Sequence, residues 1–322
     1  MTAFLLNYTG MGRPNPDSFL NMRIRSLVVS LSFLAAGVAA AQTRALAQTH
    51  PGAVRLLIQG DDMGAAHAIN IATIRAYKEG ILRSTNVIVS GPWFPEAVQL
   101  LKENPGLDVG VHLCLTSEWE RVKWRPLTDA PSLVDADGYF FPMVWPRKDF
   151  PPNTSLREAS PKTGEVEREL RRQIEVARKH LPRITYLSTH MGFPGLKPEW
   201  VEMVKRIASD VGLPLMETQP GVNYLAGVWR SGASNDFDNG PARAAKLAAR
   251  LERLRPGTYV MVDHCGTNDP EMQALGHKGY EYVAADRSAV VEAWTSPLVL
   301  DAVKRLGIKL ISHADLPKSA RQ

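Results

Sequence analysis

Short apolar runs alternate with amphipathic stretches along most of this chain. The apolar runs are rich in β-branched residues and have the length of buried strands, which predicts strands at 54–59, 85–89, 107–113, 184–189, 213–216, 258–263 and 308–312. Between these runs, apolar residues recur at helical spacing and predict helices at 66–79, 93–104, 163–180, 197–209, 241–254, 288–295 and 297–306. This alternation favours an α/β fold in which crossover helices join a parallel sheet.

Two long segments, 117–160 and 217–240, interrupt the alternation. They contain aromatic and amide or acidic residues among prolines and charges, namely Trp119, Trp124, Tyr139, Phe140, Phe141, Trp145, Tyr224, Trp229, Asn235 and Asp236. Long loops in compact domains tend to be functional, and aromatic faces beside polar groups suit sugar rings. The alternative is that most of these aromatic residues only anchor the loops onto the domain.

The amino-terminal region has the layout of a secretory signal peptide. From Met22 the chain carries two arginines, then an apolar core over 27–41, then small residues. We therefore expect a signal peptide at 22–47, cleavage that leaves a mature chain starting near Gln42 or Gln48, and a secreted or periplasmic protein. The apolar core is short for a membrane span, although an uncleaved anchor helix is the alternative.

The residues on either side of this signal are interpreted separately. Residues 1–21 have no targeting logic and are expected to be a non-native upstream extension. Residues 48–322 are long enough for one large α/β domain with its own core. No stable membrane span is expected in the mature form, and the sequence does not predict the oligomeric state.

Charge and cysteine content exclude two classes of protein. The formal net charge of +5 over 322 residues gives no reason to propose a nucleic-acid partner. Two cysteines, Cys114 and Cys265, do not make a disulfide scaffold. Both cysteines lie beside candidate site residues, so the two thiols could be close together, or Cys114 could simply pack inward.

The adjacent carboxylates Asp61 and Asp62 are the strongest chemical signal. They follow the predicted strand 54–59 directly and precede the predicted helix 66–79. Two neighbouring carboxylates at the end of a buried strand repel each other and resist desolvation. A fold keeps such a pair mainly when a cation or a proton-transfer task offsets this cost, so the pair predicts a metal site.

Histidines end three further predicted strands. His112, His190 and His264 each close an apolar run. A carboxylate and two imidazoles from different strand ends can leave open coordination positions, as catalytic metal sites require. Ligands at strand carboxyl ends also favour a barrel-like closure over an open sheet. Taken alone, each histidine could equally be an ordinary residue at the end of a strand.

The remaining histidines are expected to be solvated. They fall in a tail, a helix start, a helix end, a loop and a strand exit, and they are His50, His67, His180, His277 and His313.

Ordered motifs across most of the chain resemble the YdjC/ChbG family of carbohydrate deacetylases. The motifs are Gly60-Asp61-Asp62-Met63-Gly64, Ala68-Ile69-Asn70, Gly80-Ile81-Leu82-Arg83-Ser84-Thr85, Ser90-Gly91-Pro92, Pro105-Gly106-Leu107, Gly110-Val111-His112-Leu113-Cys114-Leu115-Thr116, Ser188-Thr189-His190, His264-Cys265-Gly266 and Ile308-Lys309-Leu310-Ile311-Ser312. Several ordered motifs are far more specific than any single one.

The resemblance implies a single (β/α) barrel-like domain, similar to a distorted TIM barrel. It also implies one divalent metal ion, Mg or Zn, and removal of acetyl groups from N-acetylated sugars or oligosaccharides. By position in the motifs, Asp62, His112 and His190 would be the metal ligands. Asp61 would be the general base and His264 the second proton-transfer residue.

The sequence departs from the commonest family pattern at four places. Met63 stands where Phe is usual, Cys114 where Asn is usual, residues 191–194 replace a histidine-rich stretch, and Cys265 replaces Pro. The three ligand positions keep their residue types, whereas the changed positions would line the sugar pocket. Two alternatives therefore stay open: a catalytically inactive protein that binds metal and sugar, and a metal-dependent hydrolase of another amide or ester.

Overall fold

The computed structural model of the protein describes residues 52–181, 183–225 and 238–317. In these ranges one parallel sheet contains β1 (Val54–Met63), β2 (Ser84–Val87), β3 (Asp108–Leu113), β4 (Leu187–Thr189), β5 (Val222–Leu225), β6 (Gly257–His264) and β7 (Lys309–Ile311). The α-helices of these ranges are α1 (His67–Glu79), α2 (Phe94–Glu103), α3 (Thr163–His180), α4 (Pro198–Val211), α5 (Gly240–Leu251), α6 (Pro270–Ala274), α7 (Val283–Thr295) and α8 (Pro297–Arg305). Short 3-10 turns lie at Pro131–Leu133, His190–Leu196, Met216–Thr218 and His313–Asp315.

Strand β1 organises the sheet. The strand order is β4-β3-β2-β1-β6-β5, and β7 also pairs with β1. Arg55 of β1 is opposite Lys309 of β7, whereas Gln59 of β1 is opposite Ser84 of β2. The first part of β1 therefore pairs with β7 and its last part with β2. The predicted α/β class is confirmed, and the parallel sheet with its helices is consistent with a distorted barrel.

The apolar run of β1 is buried on both faces. Leu56 and Ile58 belong to the main core that the helices cover, while Leu57 packs with Val260 and Ile311 in a smaller cluster. Successive strand residues point to opposite faces, so burial of both faces requires a continuous apolar run. This layering explains why the sequence around β1 shows no polar alternation.

One predicted strand, 213–216, is wrong. Its residues make only an isolated bridge with β4, in which Leu187 N donates to Pro214 O at 2.9 Å. Proline has no N–H to return a second hydrogen bond, so pairing stops there. Strand β5 lies instead within the predicted loop 217–240. This strand is partly exposed, with the Tyr224 side chain 48 % exposed, so its sequence lacks the continuous apolar run that predicts a buried strand.

Most aromatic residues of the long 117–160 segment anchor it to the domain. Four of them are buried, namely Trp119, Trp124, Phe140 and Phe141, whereas Trp145 stays exposed. Anchoring by most of these rings is therefore confirmed. Three residues proposed from the second segment, Trp229, Asn235 and Asp236, lie outside the described residues.

The amino-terminal predictions fall outside the described part of the chain. This applies to the upstream extension at 1–21 and to the signal peptide at 22–47. Among the helices of the described residues, none has the length and apolar composition that a membrane crossing requires.

Candidate metal centre

The carboxyl ends of four parallel strands bring the predicted site residues together. Asp61 and Asp62 lie at the end of β1, and His112 lies near the end of β3. His190 follows β4 directly, and His264 is the last residue of β6. Asp61 and His264 are register partners in adjacent strands. The structure therefore brings these five residues together at one edge of the sheet.

Asp62, His112 and His190 form a compact buried cluster. One candidate ligand atom from each lies within 4.8 Å of the other two. Asp62 Oδ1 is 3.6 Å from His112 Nε2 and 3.4 Å from His190 Nδ1. One carboxylate oxygen and two ring nitrogens thus surround a common point, and the three residues could hold a metal ion.

The carboxylate of Asp62 fits a cation because its own hydrogen-bonding needs are unmet. Both oxygens are buried without a hydrogen bond of good geometry from the described residues, and Oδ2 has the Arg287 guanidinium as an ion-pair partner at 3.1 Å. Buried polar atoms almost always have a partner, so Oδ1, which faces two histidine ring nitrogens at 3.4 and 3.6 Å, points to a missing positive ligand. Burial raises the pKa of Asp62, but His264, His190 and Arg287 together hold it well below its usual value. The group is ionised at neutral pH.

The backbone at Asp62 is also unusual. Its φ is 72°, in the left-handed region that non-glycine residues rarely occupy. The amide N–H of Asp62 donates to Asn86 Oδ1 at 3.1 Å, which helps to hold this conformation. Strained backbone of this kind clusters at functional sites.

Each histidine of the cluster is held through the ring nitrogen that points away from Asp62. His112 Nδ1 is 2.8 Å from Ser188 Oγ, and His190 Nε2 is 3.1 Å from Glu118 Oε2. Such contacts fix the tautomer and the ring orientation of a ligating histidine. Glu118 was not predicted from the sequence, and its only signal is its place after the apolar run that carries His112.

The two histidines differ in protonation. Burial, together with the proximity of His190, lowers the pKa of His112 to about 3, so this ring is neutral. Burial also opposes protonation of His190, but its neighbours Cys114, Glu118 and Asp62 outweigh burial and raise its pKa well above the usual value. These neighbours favour the protonated form of His190 when no cation is bound.

Arg287 of α7 reaches the opposite oxygen of the carboxylate. Its Nη2 atom is 3.1 Å from Asp62 Oδ2, and its guanidinium carbon lies 4.9 Å from the centre of the Trp119 ring. Arg287 thus contacts Oδ2, whereas His112 and His190 face Oδ1, where a cation could bind between the carboxylate and the two rings. Sequence reasoning missed Arg287, whose only signal is a charge inside a helix that is buried on most sides.

The pKa of Asp61 lies close to neutral pH. Burial and the neighbouring Asp62 raise its pKa to about 6, although His264 acts against them. Its Oδ1 accepts hydrogen bonds from Gln59 Nε2 at 2.6 Å and Asn86 Nδ2 at 2.8 Å. Its Oδ2 lies 3.7 Å from His112 Nε2, on the side of the cluster.

His264 lies at the mouth of the site. Its side chain is 40 % exposed, and its Nε2 is 3.6 Å from Asp62 Oδ2. Partial burial lowers its pKa, but Asp62 outweighs this effect and raises the pKa above the usual value. Asp263 Oδ1 lies 3.7 Å from His264 Nδ1, the ring nitrogen that points away from Asp62.

Both thiols are buried and free, so they form no disulfide. Cys114 packs inward, which was one of the two alternatives drawn from the sequence, and Cys265 is buried as well. Burial raises the pKa of Cys114 to about 11, so its thiol is protonated at neutral pH.

Two histidines predicted to be solvated are buried, and for them the prediction is wrong. His277 packs among Trp119, Phe150 and Tyr280, and His313 packs on the Tyr186 ring at 3.8 Å between centroids. Trp119 and Phe150 cover His277, and Tyr186 covers His313; all three rings are distant in sequence, so the local sequence does not indicate this burial. His180 is exposed and His67 half-exposed, while His50 lies outside the described residues.

Comparison with known proteins places these features in a family. The model of the family described as "YdjC-like protein" matches residues 55–305. A carbohydrate deacetylase from Thermus thermophilus is 32 % identical over 244 residues, which cover 68 % of this chain and 80 % of that protein. Carbohydrate deacetylase 2 from Listeria innocua is 25 % identical over 281 residues, which cover 82 % of this chain and all of that protein.

A solved structure supports the same fold. A protein assigned to cellobiose-phosphate cleavage from Enterococcus faecalis aligns with a TM-score of 0.62 at 23 % identity, covering 81 % of this chain and 98 % of that one. The family resemblance deduced from the motifs is confirmed. Because the family match extends over residues 55–305, this chain belongs to the YdjC-like protein family.

Proposed function

We propose that this protein is a metal-dependent hydrolase that removes acetyl groups from N-acetylated sugars or oligosaccharides. The observation that carries the proposal is the buried cluster of Asp62, His112 and His190, in which Asp62 Oδ1 faces both ring nitrogens and accepts no hydrogen bond from the described residues. Carbohydrate deacetylases among the relatives support hydrolysis of an amide bond and an acetylated sugar as substrate.

Asp62, His112 and His190 would hold one divalent cation. Two imidazoles and one carboxylate favour zinc over magnesium, which prefers oxygen ligands. When bound, the cation would supply Lewis-acid activation of a water molecule and of the acetyl carbonyl. Ser188 and Glu118 support this role, because each contacts the outward ring nitrogen of one histidine.

Asp61 would act as the general base. Its pKa of about 6 leaves it ionised at neutral pH yet basic enough to accept a proton from water. Its Oδ1 already accepts two amide hydrogen bonds, so the proton would go to Oδ2, which faces the cluster. The oxygen of that water then bonds to the acetyl carbon.

His264 would act as the general acid. The raised pKa favours the protonated imidazole, and its partly exposed position at the mouth lets it reach the substrate. When the carbon–nitrogen bond breaks, His264 gives its proton to the departing nitrogen. The products are acetate and the free amino sugar, and the proton on Asp61 returns through solvent to restore His264.

Two substitutions separate proton transfer from metal binding. Asp61→Asn and His264→Ala should keep the cation but lose about 10²- to 10⁴-fold in kcat. His180→Ala, which removes an exposed histidine at the end of α3, is the matched control and should behave as wild type. Metal loss in Asp61→Asn would make Asp61 a ligand instead. Near-normal turnover in His264→Ala would remove His264 from the mechanism.

We also propose that the protein is exported. The signal-like segment 22–47 supports secretion or transfer to the periplasm, with residues 48–322 forming one distorted barrel domain. The expected substrates would then be extracellular or periplasmic saccharides.

A further inference from the structure

A buried line of hydrogen bonds connects the last turn of the described chain to Asp61. His313 Nε2 is 2.5 Å from Gln59 Oε1, and Gln59 Nε2 donates to Asp61 Oδ1 at 2.6 Å. Gln59 is fully buried and His313 is 5 % exposed. We propose that Gln59 and His313 are positioning residues that fix which oxygen of Asp61 accepts the proton; this inference rests on the proposed role of Asp61 as base.

Only one arrangement of protons satisfies this line. An ionised carboxylate only accepts hydrogen bonds, so the NH₂ group of Gln59 must face Asp61 and its carbonyl must face His313. His313 must then donate from Nε2. Its Nδ1 has no partner among the described residues, so a proton there would be buried without an acceptor. Burial also lowers the pKa of His313 to about 3, which keeps the ring neutral with a single N–H.

The ring of His313 is held from outside the site. Tyr186 stacks on it with centroids 3.8 Å apart and planes inclined by 30°. The Tyr186 hydroxyl donates to Thr85 O at 2.8 Å, and the ring lies so close to Gly110 that a Cβ there would be 2.5 Å from its Cζ. The backbone N–H of His313 donates to Ser84 Oγ at 3.1 Å. These contacts leave the imidazole one orientation.

The two oxygens of the Asp61 carboxylate therefore have different surroundings. Oδ1 of Asp61 is held by Gln59 and by Asn86, whereas Oδ2 faces His112 Nε2 at 3.7 Å. Without the His313 donor, the Gln59 amide could rotate by half a turn and place its carbonyl against the carboxylate. Asp61 would then lose one donor and turn away from the cluster. The cation ligands make no contact with Gln59 or His313 in the described hydrogen bonds, so metal binding should be unaffected.

A matched pair of substitutions tests this role. His313→Gln places an amide nitrogen where the imidazole Nε2 was, whereas His313→Met has similar length and no donor. His313→Met should lower kcat on N-acetylglucosamine oligomers about 10- to 100-fold, because misplacement of a catalytic group by about 1 Å can cost that much. KM and metal content should stay near wild type, and His313→Gln should recover most of the rate.

Gln59→Met is the second variant and should show the same loss in kcat, even if His313→Met does not fold. The double variant should be no slower than the slower single variant, because both act through Asp61. Wild-type kcat in Gln59→Met, while Asp61→Asn is inactive, would overturn the positioning role and leave the proposed function standing. Full activity of Asp61→Asn would remove Asp61 as the base, whereas absence of acetate release by the metal-loaded wild-type protein would overturn the proposed function itself. Equal losses in His313→Gln and His313→Met, with wild-type kcat in Gln59→Met, would assign His313 a packing role only.

Discussion

Replacing Glu118 by glutamine should weaken metal binding without touching a ligand. Glu118 is buried, and its Oε2 lies 3.1 Å from the Nε2 atom of His190, whose other nitrogen faces Asp62. Glutamine keeps a hydrogen-bond acceptor at this place but removes the negative charge that makes the His190 imidazole a stronger metal ligand. Loss of such an outer partner lowers metal affinity about 10- to 100-fold. This corresponds to about 1.4 to 2.7 kcal/mol of binding free energy.

The size of this loss should depend on pH. The raised pKa of His190 means that a proton occupies this ring below that pKa and must leave when a cation binds. Metal affinity should therefore rise with pH until His190 is neutral, by about tenfold per pH unit for the one proton released. Glu118→Gln lowers the pKa of His190 and so weakens this proton competition. The difference in metal affinity between wild type and Glu118→Gln should be small at acidic pH and reach its full size at alkaline pH.

The assay is competition between the protein and a chromophoric chelator for Zn²⁺, across pH 6 to about 9. Glu165→Gln is the matched control, because Glu165 is similarly buried but accepts hydrogen bonds from Ser132 instead of a candidate ligand. The control should bind zinc as wild type does. Equal zinc affinities for wild type and Glu118→Gln at alkaline pH would refute the reasoning.

Three further predictions follow from the fold, the mechanism and the targeting signal. Gly110→Ala should lower the free energy of unfolding, measured in urea, by about 1–3 kcal/mol, because the added Cβ would overlap the Tyr186 ring. Gly164→Ala is the control and should not lower it, because its added Cβ would meet no atom within 4 Å. Equal losses in the two variants would contradict this packing. His264→Ala should flatten the alkaline limb of the kcat profile, since an acid with a raised pKa loses its proton as pH rises; an unchanged limb would contradict its role. Amino-terminal sequencing of secreted protein should find a start near Gln42 or Gln48, and an intact Met1 or Met22 would refute cleavage of the signal peptide.

Sequence patterns correctly predicted those helices and strands whose buried residues form a regular apolar pattern in the local sequence. Helix α3 begins and ends at the predicted residues 163 and 180, because its apolar stripe alternates regularly with charges. Helix α7 begins at Val283, five residues before the predicted 288. Its first turns carry Asp286 and Arg287, which resemble solvated residues in the sequence but are buried. Their partners come from other elements, so the sequence could not indicate that they were inside.

The same distinction applies to the site. Asp61, Asp62 and the histidines were predictable, because parallel strands bring their carboxyl ends to one edge and these residues end strands. Asn86, Glu118 and Arg287 were not, because each becomes important only through contacts across the fold. Asn86 is the clearest case: one amide accepts from Asp62 N and donates to Asp61 and Ser188.

The most direct test of the central claim measures metal content and acetate release on the same samples. Wild-type protein should bind one divalent cation and release acetate from N-acetylglucosamine oligomers, and chelation should abolish the release until metal is restored. His112→Ala and His190→Ala should lose metal and activity together, with partial rescue by excess metal. Acetate release that survives complete chelation, or full metal content in both histidine variants, would contradict a deacetylase built on Asp62, His112 and His190.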